Sequence, residues 1–196
     1  MGKTAWYGGV VSAFEFVFSL FGLLLGFSLV EVLGGLARTL EARLRLGPSY
    51  KVGWLTPLLA LFVMLDLMTF WVAAWRLREG LAVSLATLTA GLAFAGSYYL
   101  AAHLVFPPRD VNAPDLDAHY FRVKRWVLSI LFVLFAIQVG YFMMVPELAK
   151  LIASWQAVLS VSLFGLILAA AGFVSGRGLN IALLGILILR YLVLIF

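Results

Sequence analysis

Apolar residues fill the chain in long unbroken runs, separated by short polar connectors. A helix that crosses a bilayer needs about 20 mostly apolar residues. Six runs meet that length: roughly residues 10–37, 54–76, 80–106, 126–146, 155–174 and 179–196. None shows the period-2 alternation of a barrel strand, so β-barrel spans are excluded. The pattern predicts an all-α integral membrane protein, a single polytopic domain over residues 1–196. With flanking turns included, helices are expected at about 10–46, 54–76, 80–106, 113–146, 150–174 and 179–196, forming a six-transmembrane-helix bundle.

Two connectors carry helix signals of their own. After Ala37 the segment Arg38–Leu46 stays helix-compatible until Gly47-Pro48 stops it, and Glu41 is spaced to pair with Arg38 and Arg45. The first helix is therefore expected to run past the membrane into the cytoplasm. Its residues 38–46 are either a juxtamembrane anchor or a surface for a cytoplasmic partner. In the connector at 107–125, Asn112 is placed to cap a helix, with Pro114 in its first turn and Asp115 and Asp117 at its positive end.

Composition narrows the class further. Of 196 residues, 64% are hydrophobic and 12% charged; a soluble domain has about 45–50% apolar and about 25% charged residues. Too few charges are present to coat a water-facing surface. With no cysteine, disulfide scaffolds, zinc ribbons and thiol catalysis are excluded. The net charge of +5 lies in short clusters between apolar runs, which argues against nucleic acid as a partner.

The same clusters indicate orientation. Arg38, Arg43, Arg45, Lys51, Arg109, Arg122, Lys124, Arg125 and Arg177 fall on one side, and Lys3, Arg76, Arg78 and Lys150 on the other. The richer side is expected to be cytoplasmic, with both termini outside, in a bacterial inner (plasma) membrane. The N-terminal run is too long for a cleavable signal, and Trp6 stands where myristoylation wants Ser or Thr.

Charges inside a bilayer are costly and mark candidate sites. Four lie within the apolar runs: Glu15, Glu31, Asp66 and Arg190. Asp66 is near the midplane, Glu31 in the inner leaflet, and Glu15 and Arg190 toward the outer side. On depth, Arg190 is expected to pair with Glu15 before Asp66. Ser12, Glu15, Ser19, Gly22 and Gly26 share one helix face, while Ser28, Glu31, Gly35 and Arg38 share another turned away from it. That arrangement suggests a first helix buried on opposite sides, hence central. A faint echo at an offset of 72 residues aligns Asp66 with Gln138, which offers Asp66 a partner. Small residues at Ser162, Gly165, Ala169 and Gly172 predict close helix packing.

Little else carries chemistry. The metal-like cluster Asp115-x-Asp117-x-His119 is equally explained by helix capping, so no metal site is assigned. His103 has no facing histidine in the apolar runs to hold a haem, and no cofactor is expected. No metalloprotease, nucleophile-elbow, phosphate-loop or potassium-filter motif is present.

Three function classes remain. The leading expectation is ion- or proton-coupled transport along a polar path through Asp66 and Glu15, with Gln138 and Glu31 contributing and Arg190 as counter-charge. The alternative is a non-catalytic accessory subunit or homo-oligomeric scaffold in a larger membrane complex. An enzyme acting on a lipid is third, because convergent acid–base groups are lacking.

Overall fold

A computed structural model describes residues 13–76, 84–108 and 115–195, except for the side chains of residues 13–17, 48, 76, 151, 194 and 195. The described residues form seven helices: α1 (Ala13–Leu46), α2 (Leu55–Arg76), α3 (Leu85–Val105), α4 (Leu116–Met144), α5 (Pro146–Ile152), α6 (Trp155–Phe173) and α7 (Arg177–Ile195). Five are long and apolar enough to cross a membrane, namely α1 from Phe18, α2 to Trp75, α3, α4 and α6. α7 has 19 residues and packs along α2 and α6.

α2 sits at the middle of the bundle, touching α1, α3, α4 and α7, while α4 bridges α3 to α6. The core these contacts close includes Leu25, Leu59, Phe62, Leu131, Phe164 and Leu187, all almost fully buried. Large apolar side chains also cover the outside. Val30, Val72, Val133, Leu166 and Val193 are each more than half exposed. A water-soluble surface rarely presents so much contiguous apolar area; a lipid-facing one requires it. Exposed tryptophans mark the two ends, with Trp54 and Trp126 at one and Trp75 and Trp155 at the other, as interfacial belts do.

α1 corrects the expectation of a central helix. Its buried positions Gly22, Leu25, Ser28, Val32, Gly35 and Thr39 form one continuous stripe, and it packs only on α3 and α2 among the helices after it. Of the outer small-residue face, Gly22 belongs to this stripe, while Ser19 is exposed and the space beside Gly26 is open, so that face is covered only in part. Ser12 lies outside the described residues. Close approach occurs instead at Gly22 under the Trp71 ring and at Gly35 under the Phe106 ring.

At 34 residues, α1 is about 51 Å long against a hydrocarbon core of about 30 Å. It is unbroken to Leu46, and Gly47 turns the chain in the left-handed region at φ 59°. Glu41 forms no ion pair among the described residues. Arg43 holds the turn by donating to the carbonyls of Gly47 (2.6 Å) and Tyr50 (2.8 Å). Burial raises the pKa of the Tyr50 phenol above the usual tyrosine value, against a smaller opposing effect of Thr39.

Other boundaries move for local reasons. Asp115 caps α4, accepting from the amides of Asp117 (2.9 Å) and Ala118 (3.3 Å), so the helix starts at Leu116 and not near residue 113. The expected cap Asn112 lies outside the described residues, as do residues 80–83 of the third expected helix. The stretch expected as one helix from about 150 splits in two. Pro146 starts α5, whose missing N–H costs nothing at a first turn. Ser154 then caps α6 by accepting from Ala157 N at 3.2 Å. On α6, Gly165 lies against the Phe135 ring while Ser162 is exposed, which rotates the packing face slightly from the expected one.

Candidate functional site

Asp66 lies midway along α2 and is partly buried. Both carboxylate oxygens are taken by phenols from other helices. Tyr98 of α3 donates to Oδ2 at 2.8 Å, and Tyr191 of α7 donates a short hydrogen bond to Oδ1. The three residues form a polar clamp in an aromatic setting, with Phe70 against Tyr98 and Phe62 against Tyr191. Unpaired carboxylates are costly at this depth, and donors from two neighbouring helices meet that requirement.

Arg190 precedes Tyr191 and lies within electrostatic range of Asp66, but no hydrogen bond or ion pair within 4 Å joins them. Its guanidinium stacks over the Phe164 ring at 4.2 Å. Its Nε is buried with no hydrogen-bond partner. The expected preference for Glu15 falls on a side chain outside those the structure describes. α7 packs on α2 and α6 and has no contact with α1 among the described residues.

Gln138 does not partner Asp66 either. It lies on α4 in an apolar cleft of about 260 Å³ between α1, α2, α3 and α4, beside Phe70, Phe94 and Tyr141. Asp66 does not line that cleft. Glu31 belongs to a separate cluster at the other end of the bundle. It meets His103 Nδ1 at 3.1 Å and Arg38 at 3.8 Å, and Tyr99 stacks on the His103 ring. Of the residues expected along one polar path, Glu15 lies outside the described side chains, and of the other four only Asp66 and Arg190 are neighbours.

The cluster Asp115, Asp117 and His119 turns to three different partners. Asp115 caps α4. Asp117 accepts from Leu55 N at 3.1 Å, capping α2, and meets Arg177 at the start of α7 at 2.9 Å. The His119 Nε2 lies 3.2 Å from the Leu104 carbonyl at the end of α3. Thr56 adds a hydrogen bond to Leu116 O at 2.8 Å. Gly53, at φ 57°, lies where a Cβ would strike the Asp117 carboxylate. These bonds stitch four helix ends together. No group of three potential metal ligands occurs among the described residues.

Next to this elbow is a network the sequence reading missed. Lys124 is almost fully buried and donates to Ala171 O (3.0 Å), to Val174 O through a short bond, and to Asn180 Oδ1 (3.0 Å). Asn180 also accepts from the Tyr120 hydroxyl (2.8 Å) and donates to Val174 O (2.8 Å) and Gly176 O (2.7 Å). An ammonium among the orphan carbonyls of the α6 C-terminus matches the negative end of the helix dipole. Lys124 is thus not a loop charge, as the orientation argument had counted it. An Asn inside the last apolar run was the one available signal for this network. Tyr98 shares one face of α3 with Thr87, Gly91 and Ala95, but nothing in the sequence links it to Asp66. No protein-family model, curated protein or solved structure matches the chain.

Proposed function

We propose that the chain is a six-span plasma-membrane protein of the bacterial inner-membrane kind, acting as a non-catalytic component of a larger assembly. The observation that carries this reading is the Asp66 clamp. Both oxygens of the midplane carboxylate are spent on tying α2 to α3 and α7, and Asp66 lines neither the cleft beside Gln138 nor the groove beside Arg190. In this reading α7 is the sixth span, the stitched end faces the cytoplasm because the basic residues gather there, and both termini lie outside.

A partner surface is supported by the end of α1. Leu40, Leu44 and Leu46 are 61%, 77% and 48% exposed on a stretch that continues past the Gly35–Phe106 contact with the end of α3. Apolar side chains in that position face headgroups or water unless something covers them. The expected occupant is a cytoplasmic protein docking on residues 38–46.

Transport remains the second reading, favoured by the unbonded Arg190 guanidinium beside Asp66. Reconstituted protein distinguishes the two. The component reading expects no proton, sodium or potassium flux above empty vesicles. A photo-crosslinker at Leu44 should then capture one cytoplasmic protein reproducibly, and one at lipid-facing Val72 should not. Flux in the wild type that Asp66→Asn abolishes, with stability retained, overturns the component reading in favour of transport.

A further inference from the structure

Four of the helices lose their common core before they end. Beyond Gly22, Leu67, Ala95 and Leu134, toward the end marked by Trp75, no described residue of α1, α2, α3 or α4 is buried. The helices stand instead around the cleft of about 260 Å³. Ala73, Ala74, Ala90 and Gly91 are too small to fill it, and the rings of Phe21, Phe70 and Phe94 line it, with Phe70 and Phe94 stacked at 4.4 Å. Leu20, Leu92 and Ile137, also in the lining, are 45%, 56% and 54% exposed. The cleft therefore opens toward lipid. Left empty, it would forfeit dispersion contacts along its whole wall.

Two polar groups stand in this apolar wall. Gln138 and Tyr141 are spaced i and i+3 and so lie one turn apart on one side of α4. Gln138 is six residues from Met144 at the end of α4, and Phe70 is six residues from Arg76 at the end of α2. At 1.5 Å per residue both lie about 9 Å below the same end of the bundle. Neither polar side chain makes a hydrogen bond among the described residues. Hydrocarbon offers no partner there, and an unmade bond is costly in it. No charged residue is among those lining the cleft, so the ligand that completes it is neutral.

We infer that this cleft binds the ring of a lipid-soluble quinone, a neutral ring that carries carbonyl oxygens and an apolar tail. The ring lies against Phe70 and Phe94, in the offset or edge contacts that aromatic systems prefer. A ring carbonyl accepts from the Gln138 carboxamide and the Tyr141 hydroxyl. In the reduced form a ring hydroxyl donates to the Gln138 oxygen instead, because a carboxamide both donates and accepts. The protein binds the ring and exchanges no electrons with it. An acyl chain fills the same volume but leaves both polar groups unbonded, which is why the occupant is a ring with oxygens. The inference goes beyond the component reading and does not rest on it.

The test is equilibrium binding of a tritiated, decyl-substituted benzoquinone to the full chain in detergent micelles, with decylbenzene as competitor. The two share a tail and a six-membered ring, and only the quinone has ring oxygens. Wild type should bind one quinone saturably. Gln138→Leu should lower the affinity for quinone relative to decylbenzene about fivefold, the worth of one hydrogen bond. Comparing that ratio with wild type cancels partition into the micelle. Gln156→Leu, at an exposed position of α6, should leave the ratio unchanged. If Gln138→Leu does not fold, the ratio in Tyr141→Phe decides in the same way. A Cβ at Gly91 meets only Phe21, at 3.9 Å, so Gly91→Leu fills the cleft and should weaken both ligands at least about tenfold. The inference is overturned if wild type shows no saturable quinone binding. A ratio unchanged in folded Gln138→Leu overturns it too, marking an acyl-chain cleft, as does wild-type affinity in folded Gly91→Leu.

Discussion

Removing one phenol from the Asp66 clamp tests whether this carboxylate holds the bundle together. Tyr98→Phe deletes the 2.8 Å bond from α3 and Tyr191→Phe the bond from α7, each leaving the ring in place. Interhelical hydrogen bonds in membranes average about 0.6 kcal/mol by double-mutant cycles, with model peptides giving about 1–2 kcal/mol. Bonds to charged groups in soluble proteins contribute about 1.5–3 kcal/mol. Each single variant should therefore lose about 1–2 kcal/mol. The two losses should not add, because both phenols serve one carboxylate. The second removal strips its last protein donor and should cost more than the first. Asp66→Leu should exceed either single variant, since it leaves two phenols without an acceptor in hydrocarbon. Asp66→Asn should fall below it, because the carboxamide can accept from one phenol and donate to the other. Reversible unfolding in mixed micelles, followed by helical circular dichroism, measures all five variants. If both Phe variants lie within about 0.3 kcal/mol of wild type, below the scatter of additivity, the clamp contributes nothing and the reasoning fails.

Three further outcomes follow from named contacts. Lys124→Met should lose about 1–3 kcal/mol in the same unfolding assay, because Ala171 O and one acceptor position of Asn180 are left without a donor. Gly53→Ala should destabilise by at least about 1 kcal/mol through its positive φ and the displaced Asp117 carboxylate; an Asp117→Ala background should remove the steric share. Gly35→Ala should likewise destabilise, since its Cβ meets the buried Phe106 ring, by about 1–3 kcal/mol, with Phe106→Leu restoring part of the loss in thermal melts. A C-terminal alkaline-phosphatase fusion should be active, reporting an outside terminus; an inactive fusion beside a fluorescent cytoplasmic one would refute the orientation.

The helical class was legible because a bilayer imposes one crude constraint, length of apolar run, and this chain states it repeatedly. Capping was legible as chemistry but not as position. The connector at 107–125 announced a helix start, yet whether Asn112 or Asp115 serves as cap depends on where the chain must turn to meet Lys51, whose carbonyl binds Leu116 N at 3.1 Å. Faces were less legible. Small and polar residues mark a surface that avoids lipid, but a membrane helix can expose them at little cost, as Ser19 does. Reading Ser12–Gly26 as buried therefore put α1 in the centre, where α2 stands. Partners were least legible. Tyr98 and Tyr191 are 32 and 125 residues from Asp66, and no local pattern links them.

The distribution of polar bonds divides the bundle into two unlike halves. At the basic end, Asp117, Thr56, His119 and Lys124 each tie a side chain to the backbone of a different helix, so the ends of α2, α3, α4, α6 and α7 are held in fixed register. Opening a gap there would strand several buried donors and acceptors, each at a cost of about 1–3 kcal/mol. Past Asp66 toward the other end, aromatic side chains such as Phe18, Phe21, Phe70, Trp71 and Phe94 supply much of the contact between helices, and the clefts beside Gln138 and Arg190 lie there. Apolar contacts are non-directional and can slide without leaving an unsatisfied group. On the proposed component reading, a ligand entering from the bilayer is expected in the half carrying those clefts, and the basic half is expected to serve as the platform that presents the end of α1.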